Sequence, residues 1–181
     1  MRYVRDGKLD TFSEEGFDSL EARVQRLEDL RSIEELVTSY TRFADLADPE
    51  GMVACFAENG VLRWTPSGPP EAVGRETLRG YFRHAVGRSR TQEHFCTDFQ
   101  LRFTSRGSAV GVCNMLSWQI WKDDSKPWTV CSGKYEFAAV KEDGRWLLSS
   151  LCLTLNAKIE RHGIAGGRER EQFGRPWPPE A

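Results

Sequence analysis

The hydrophobic period of this chain switches once, and that switch restricts its fold more than any other feature. From Leu20 the apolar residues Leu20, Val24, Leu27, Leu30, Ile33, Val37, Tyr40 and Ala44 recur every three or four positions, which predicts one buried stripe of an amphipathic helix, with a break allowed near Leu30. Asp48-Pro49-Glu50-Gly51 joins an N-cap residue to a proline at the first helical position, the expected start of a short second helix carrying Met52, Val53 and Phe56 inward. Val61 to Trp64 reads as a short strand ended by Gly68-Pro69-Pro70, and Gly74 to about Arg88 as a third helix with Leu78, Tyr81, Phe82 and Val86 on its packed face. From about Glu93 to Ile159 the period is two. Turn clusters at Ser105 to Ser108, Lys122 to Lys126 and Lys141 to Gly144 divide this stretch into four strands, the last entered through the hairpin signal Asp143-Gly144. Helices first and an antiparallel sheet afterwards make an α+β fold, in which the sheet curls around the first helix and leaves a cavity against its concave face.

The 181 residues suit one well-buried core better than two. Residues 1–17 read as an N-terminal arm, 18–160 as the folded domain and 161–181 as a tail, whose Phe173 or Trp177 could dock on a neighbour or over a pocket. Six Trp and ten Phe favour an aromatic interior and a flat or polycyclic ligand. Lys plus Arg at 25 nearly cancel Asp plus Glu at 27, so no strong field recruits nucleic acid or an anionic membrane. The first residues lack a signal-peptide core and no run is of bilayer-spanning length, so a cytoplasmic location is expected. The five cysteines are odd in number and scattered, which reads as free thiols rather than a metal knuckle or a disulfide framework. Three dispersed histidines give no ligand spacing, and Gly163 to Gly167 lacks the Lys-Ser/Thr ending of a phosphate loop. Neither a metal nor a cofactor is expected.

What remains is proton transfer. A carboxylate on one imidazole nitrogen fixes the ring tautomer and leaves the other nitrogen free to act as a base. Asp45 falls in the last turn of the first predicted helix, where the negative end of the helix dipole disfavours an acid unless a cationic partner compensates. His94 opens the period-two region, but alternation puts it on the face of Cys96, Asp98, Gln100 and Arg102, opposite Phe95, Phe99, Leu101 and Phe103. Either that polar face begins inside the cavity or a bulge re-aims the histidine. Tyr40 continues the apolar stripe and could donate a phenolic hydrogen bond to enolate-like charge. Asn114 and Ser117 are candidate polar pocket contacts, and Phe43, Trp64, Phe82 and Trp118 candidate apolar lining. His84 and His162 read as surface residues.

Leu27 through Leu36, Tyr40, Asp45, Asp48, Phe56-Ala-Glu-Asn-Gly-Val61, His94-Phe-Cys-Thr-Asp98 and Glu142-Asp-Gly-Arg-Trp146 together resemble the SnoaL-like branch of the nuclear transport factor 2-like superfamily. Within it the chain is most similar to the scytalone dehydratase, bile acid 7α-dehydratase and hexachlorocyclohexane dehydrochlorinase group. The resemblance implies a cone-shaped curved sheet wrapped around N-terminal helices and a hydrophobic cavity. It further implies a helix Asp paired with a strand His at Asp45 and His94, with Tyr40 at the position of a helix tyrosine. The implied activity is a cofactor-independent elimination or isomerisation of a hydrophobic cyclic small molecule by a homo-oligomer, a trimer or dimer. A polyketide cyclase, a ligand-binding protein and a dioxygenase β-subunit-like assembly protein are the alternatives the same resemblance leaves open. The chain departs from the group in lacking a second catalytic His or Asp on the middle strands and in having Asp98 where an Asn is common.

Overall fold

A computed structural model describes residues 19–65 and 71–162. The expected arm at 1–17, the Gly68-Pro69-Pro70 strand end, the Gly163 to Gly167 segment and the tail with Phe173 and Trp177 lie outside the described residues. The element order is α1 (Leu20–Asp45), α2 (Pro49–Ala54), β1 (Phe56–Thr65), β2 (Ala72–Val73), α3 (Arg75–Gly87), β3 (Ser89–Ser105), β4 (Ser108–Trp121), β5 (Trp128–Glu142) and β6 (Arg145–Arg161). The strands form one curved sheet of order β2-β1-β6-β5-β4-β3, open at both edges. The sheet is mixed rather than wholly antiparallel, because β1 runs parallel to β6 while every other neighbouring pair is antiparallel. That parallel pair follows from topology: β1 precedes the meander and returns beside its last strand only after the long excursion through α3 and β3 to β5.

Local chemistry explains where the elements begin and end. Ser19 caps α1 by accepting from Ala22 N–H, and Asp48 caps α2 by accepting from Gly51 N–H at 3.0 Å, with Pro49 in the first turn. Asp143 and Gly144 both have positive φ, 48° and 78°, the two-residue turn whose twist matches a tight hairpin, and Glu142 pairs directly with Arg145 across it. Strand β1 starts earlier than its apolar run suggests, at Phe56. Its register on β6 shifts between Phe56 and Val61, and the guanidinium of Arg75 donates to the Phe56 carbonyl from Nε and Nη2 at 2.9 and 2.7 Å, satisfying a carbonyl that the irregular ladder leaves available.

Helix α1 is unbroken past Leu30, but its buried stripe differs from the one the sequence predicts. Ile33, Val37, Tyr40 and Ala44 are buried, whereas Leu20 is 69% exposed and Leu27 58% exposed, with Val24 also exposed. In the first turns the residues facing the sheet are Arg26 and Asp29. The Arg26 guanidinium lies over the Phe103 ring at 3.1 Å from its centre, a stacked cation on an aromatic face. Asp29 Oδ1 accepts from Lys141 Nζ at 2.7 Å and from the Trp146 indole N–H at 2.9 Å. The helix is therefore seated by a polar clamp at its start and by apolar packing further along, where Tyr40, Phe56, Phe82 and Tyr135 meet edge-on or tilted with ring centres 5.7–6.2 Å apart.

Removing the carboxylate of Asp29 leaves a buried indole N–H and a lysine without their acceptor. Asp29→Ala is expected to destabilise the fold by about 2 kcal/mol, read as a lower denaturant midpoint at unchanged slope. Burial raises both the Tyr40 and Tyr135 phenols above the ordinary tyrosine range. The unfolded chain then gives up these protons first as pH rises, so their contribution to stability is complete below about pH 10 and is lost progressively above it. Unfolding free energy measured across that window should fall with pH, and less steeply in Tyr135→Phe.

Candidate active site

The unusual step in building this site lies in β3. Its pairing with β4 is regular from Gln92 to Thr97, shifts between Thr97 and Gln100, and resumes from Gln100 onward. Asp98 takes the extra position with φ of 55°, a left-handed conformation that Asp tolerates better than most residues. Its carboxylate accepts from Asn114 Nδ2 at 2.8 Å on the neighbouring strand. A bulge of this kind inverts the alternation along the strand. Leu101 and Phe103 after it face the core, and so do Gln92 and His94 before it, while Phe95 is 49% exposed on the outside. The conflict between the histidine and its phenylalanine-rich neighbours is thus resolved by an inserted residue.

Asp45 is the last residue of α1, and His94 meets it from β3. His94 Nδ1 lies 2.7 Å from Asp45 Oδ1, and the His94 backbone N–H donates to Oδ2 at 3.2 Å. Both oxygens of the carboxylate are engaged by one residue, which fixes its orientation. The side chains are 17% and 12% exposed, enclosed enough to strengthen the interaction yet open to a ligand. An ionised Asp45 can only accept, so Nδ1 carries the proton and Nε2 presents a free lone pair.

Around the pair, Ser117 is the register partner of His94 on β4 and shares its face. Tyr40, five residues before Asp45, is buried and packs against Phe56, Phe82 and Tyr135. Trp64 packs against Tyr81 at a tilt of 47°, 4.3 Å between ring centres, and Tyr81 in turn meets Phe82 at 5.8 Å, so an aromatic series runs from β1 through α3 to Tyr40. Phe82 is fully enclosed and belongs to the core beneath this series. Phe43 lies apart from the dyad, on the groove between α1 and the β5–β6 hairpin that Leu36, Cys55 and Trp146 also line. Asn114 and Trp118 do not face the dyad either. Both are on the outer face, Asn114 held by Asp98 and the Trp118 indole N–H donating to Glu93 Oε2 at 3.1 Å. Their parity is opposite to that of Cys113 and Met115, which are buried inside. His84 and His162 are exposed.

Two residues of the site escape the sequence motifs. Tyr135 on β5 sits across the cone from Tyr40 with ring centres 6.2 Å apart. The period-two series Tyr135, Phe137 and Ala139 is the available signal for its inward orientation. Both tyrosines are buried in the core. Gln92 is the second, two residues before His94 and on its face. The free thiols include Cys96 and Cys113, which contact each other: hydrogen bonding from Cys113 holds Cys96 below the usual thiol range, and the same contact with burial drives Cys113 up. Burial likewise pushes Cys55 up to about 12. No cluster of His, Cys, Asp and Glu among the described residues has the arrangement of a metal site.

Comparison with known proteins agrees with this architecture. No match is found among curated proteins. Among solved structures, a scytalone dehydratase-like protein from Novosphingobium aromaticivorans superposes with a TM-score of 0.70 at 21% identity, over 81% of this chain and 99% of that one. A type 3 hexachlorocyclohexane dehydrochlorinase from Novosphingobium barchaimii gives 0.69 at 18% identity, over 78% and 96% of the two chains. A ketosteroid isomerase-like protein from Erwinia carotovora gives 0.62 at 20%, over 72% and 98%. These likenesses are of fold. The model of the SnoaL-like domain family matches residues 25–151, more than half of the sequence, and the chain belongs to that family.

Proposed function

We propose that this protein is a cofactor-independent lyase of the dehydratase type, or an isomerase, acting on a hydrophobic cyclic small molecule through Asp45 and His94. The observation that carries the reading is the 2.7 Å contact between His94 Nδ1 and Asp45 Oδ1, two partly enclosed side chains next to the apolar core. His94 Nε2 removes a proton from a carbon next to a carbonyl or an equivalent electron sink, and the imidazolium so formed is held by the Asp45 carboxylate. Tyr40, kept protonated by its surroundings, donates a hydrogen bond to the oxygen on which charge accumulates. In an elimination the electron pair expels the hydroxyl group, which takes the proton from the His94 imidazolium and leaves as water, returning the histidine to its neutral form. In an isomerisation the imidazolium returns its proton at a second carbon. The folds of the dehydratase-like, dehydrochlorinase and ketosteroid isomerase-like proteins support this class of chemistry. Half-buried Trp64, Tyr81, Leu153 and Leu155, packed against the core cluster, supply the apolar walls a ring system requires.

Self-association through the outer sheet face belongs to the same proposal. Phe95 and Leu116 are cross-strand partners, both exposed, and Ile159 is exposed on the same side of β6, an apolar surface suited to a second copy. Phe95→Glu should shift the sedimentation coefficient toward that of the monomer, and an unchanged coefficient would count against this face.

Turnover of cyclic hydroxyketones, followed by mass spectrometry to separate loss of water from rearrangement, tests the activity directly. His94→Ala and Asp45→Asn should each lower kcat by about 10²–10⁴-fold while the unfolding transition persists, and Tyr40→Phe by about 10²-fold. Full activity in both dyad variants would refute the mechanism.

A further inference from the structure

Resting on that reading, we propose that Gln92 is a positioning residue for the dyad, and that Gln119 sets the orientation in which it works. The end of a helix leaves carbonyl groups without intrahelical donors. In α1 one of these belongs to Ala44, immediately before Asp45. Gln92 Nε2 donates to that carbonyl at 2.5 Å, beside the bond it receives from Ala47 N–H at 3.0 Å. Gln92 and Ala44 are both buried. Consecutive residues of the helix end, Ala44 and Asp45, are therefore tied to Gln92 and His94, which alternate onto the same face of β3.

A glutamine amide can present either its oxygen or its nitrogen, and only the nitrogen can bind a carbonyl. Here the choice is made by the adjacent strand. Gln119, the register partner of Gln92, donates from Nε2 to Gln92 Oε1 at 3.0 Å and contacts the Ser89 hydroxyl with the same nitrogen. With its oxygen occupied, Gln92 turns its NH₂ group to Ala44. Beyond Asp45 the backbone turns sharply through Leu46 and Ala47, the latter at a φ of 54°, and the Leu46, Ala47 and Asp48 N–H groups bond back to the Arg42, Ala44 and Phe43 carbonyls, so the approach of the closed helix end to β3 is set by its contacts with the sheet. Polar groups thus anchor α1 to the sheet at two levels, through Asp29 in its first half and through this pair of contacts at its C-terminal end. A displacement of the helix end by a fraction of an ångström is felt directly in the Asp45–His94 distance.

The proton between His94 Nδ1 and Asp45 gives a test that needs no substrate. Its resonance in ¹H NMR spectra of the intact protein, assigned by its absence in His94→Ala, reports the hydrogen bond itself. Gln92→Leu removes the donor at similar volume, and Gln92→Glu keeps the shape but turns an acceptor toward the Ala44 carbonyl. Both are expected to shift the resonance upfield and speed its exchange with water, and Gln119→Leu to do so to a smaller extent. In turnover, kcat should fall by about 10- to 100-fold with little change in KM. A space-filling role predicts an unchanged resonance in Gln92→Glu, and that result would overturn the proposal. Should the Gln92 variants fail to fold, Gln119→Leu decides by the same measure: an altered resonance supports the relay and an unaltered one refutes it. Lack of turnover in the wild-type protein bears on the enzymatic reading alone, because the NMR outcome stands without it.

Discussion

One inserted residue in β3 governs how this fold can carry its dyad. A strand alternates strictly, so a regular β3 could not send both His94 and Leu101 inward. The shift at Asp98 lets the first half of the strand give the interior a polar edge, Gln92 and His94, while the second half supplies Leu101 and Phe103 to the core. The cost is local. A residue at positive φ is held by one cross-strand bond from Asn114, and one outward phenylalanine is exposed as a consequence of the inverted parity. Without the inversion the carboxylate at the end of α1 would face Phe95.

The second requirement is that α1 be fixed along its length. A 26-residue helix spans about 39 Å at the usual rise, so small rotations at one end become sizeable displacements at the other. Apolar packing in the middle sets depth and tilt but is tolerant of sliding, since dispersion contacts have little directionality. Hydrogen bonds to charged or carbonyl groups are directional. Placing them before the apolar stripe and at its end, through Asp29 with Lys141 and Trp146 and through Ala44 and Asp45 with β3, resists sliding of the packed part of the helix.

Much of this was legible in the sequence, and the failures have identifiable physical origins. The later stripe of α1, the cap at Asp48, the hairpin at Asp143 and Gly144 and the four-strand meander are local signals and hold in the structure. Leu20, Val24 and Leu27 continue the same helical period yet lie exposed, because periodicity reports a face and not whether anything covers it. The parallel pairing of β1 with β6 depends on the global path of the chain and leaves no local mark. Asn114 and Trp118 could have been separated from Ser117 by parity alone, since an odd spacing in a regular strand puts residues on opposite faces. Gln92 resembles any strand glutamine until the helix end is brought against it. Asp98 did carry a signal, as Asp is among the residues that accept a left-handed conformation, but a bulge needs its partner strand before it can be located.

The position of Asp45 then acquires a chemical meaning. The partial negative charge at a helix C-terminus and a carboxylate add rather than cancel, which is unfavourable for the resting protein and poorly explained by folding alone. A neutral imidazole gains little from that combined field, whereas an imidazolium gains considerably, because the interaction scales with the charge that appears. In the proposed mechanism the helix end and the carboxylate would therefore act on the same transient cation, and a group that stabilises a species formed during reaction more than the resting state contributes to rate and not merely to binding. Tyr40 and Tyr135 meet the complementary need. Tyr40 packs against Phe56, Phe82 and Tyr135, and burial raises both phenols above the ordinary range, so they keep their protons and in the proposed mechanism would serve as donors to oxygen. The proposed mechanism would thus place positive charge at the polar edge formed by β3 and the end of α1 and negative charge at the aromatic wall, and a substrate lying between them would have charge separated along its own framework as the proton leaves.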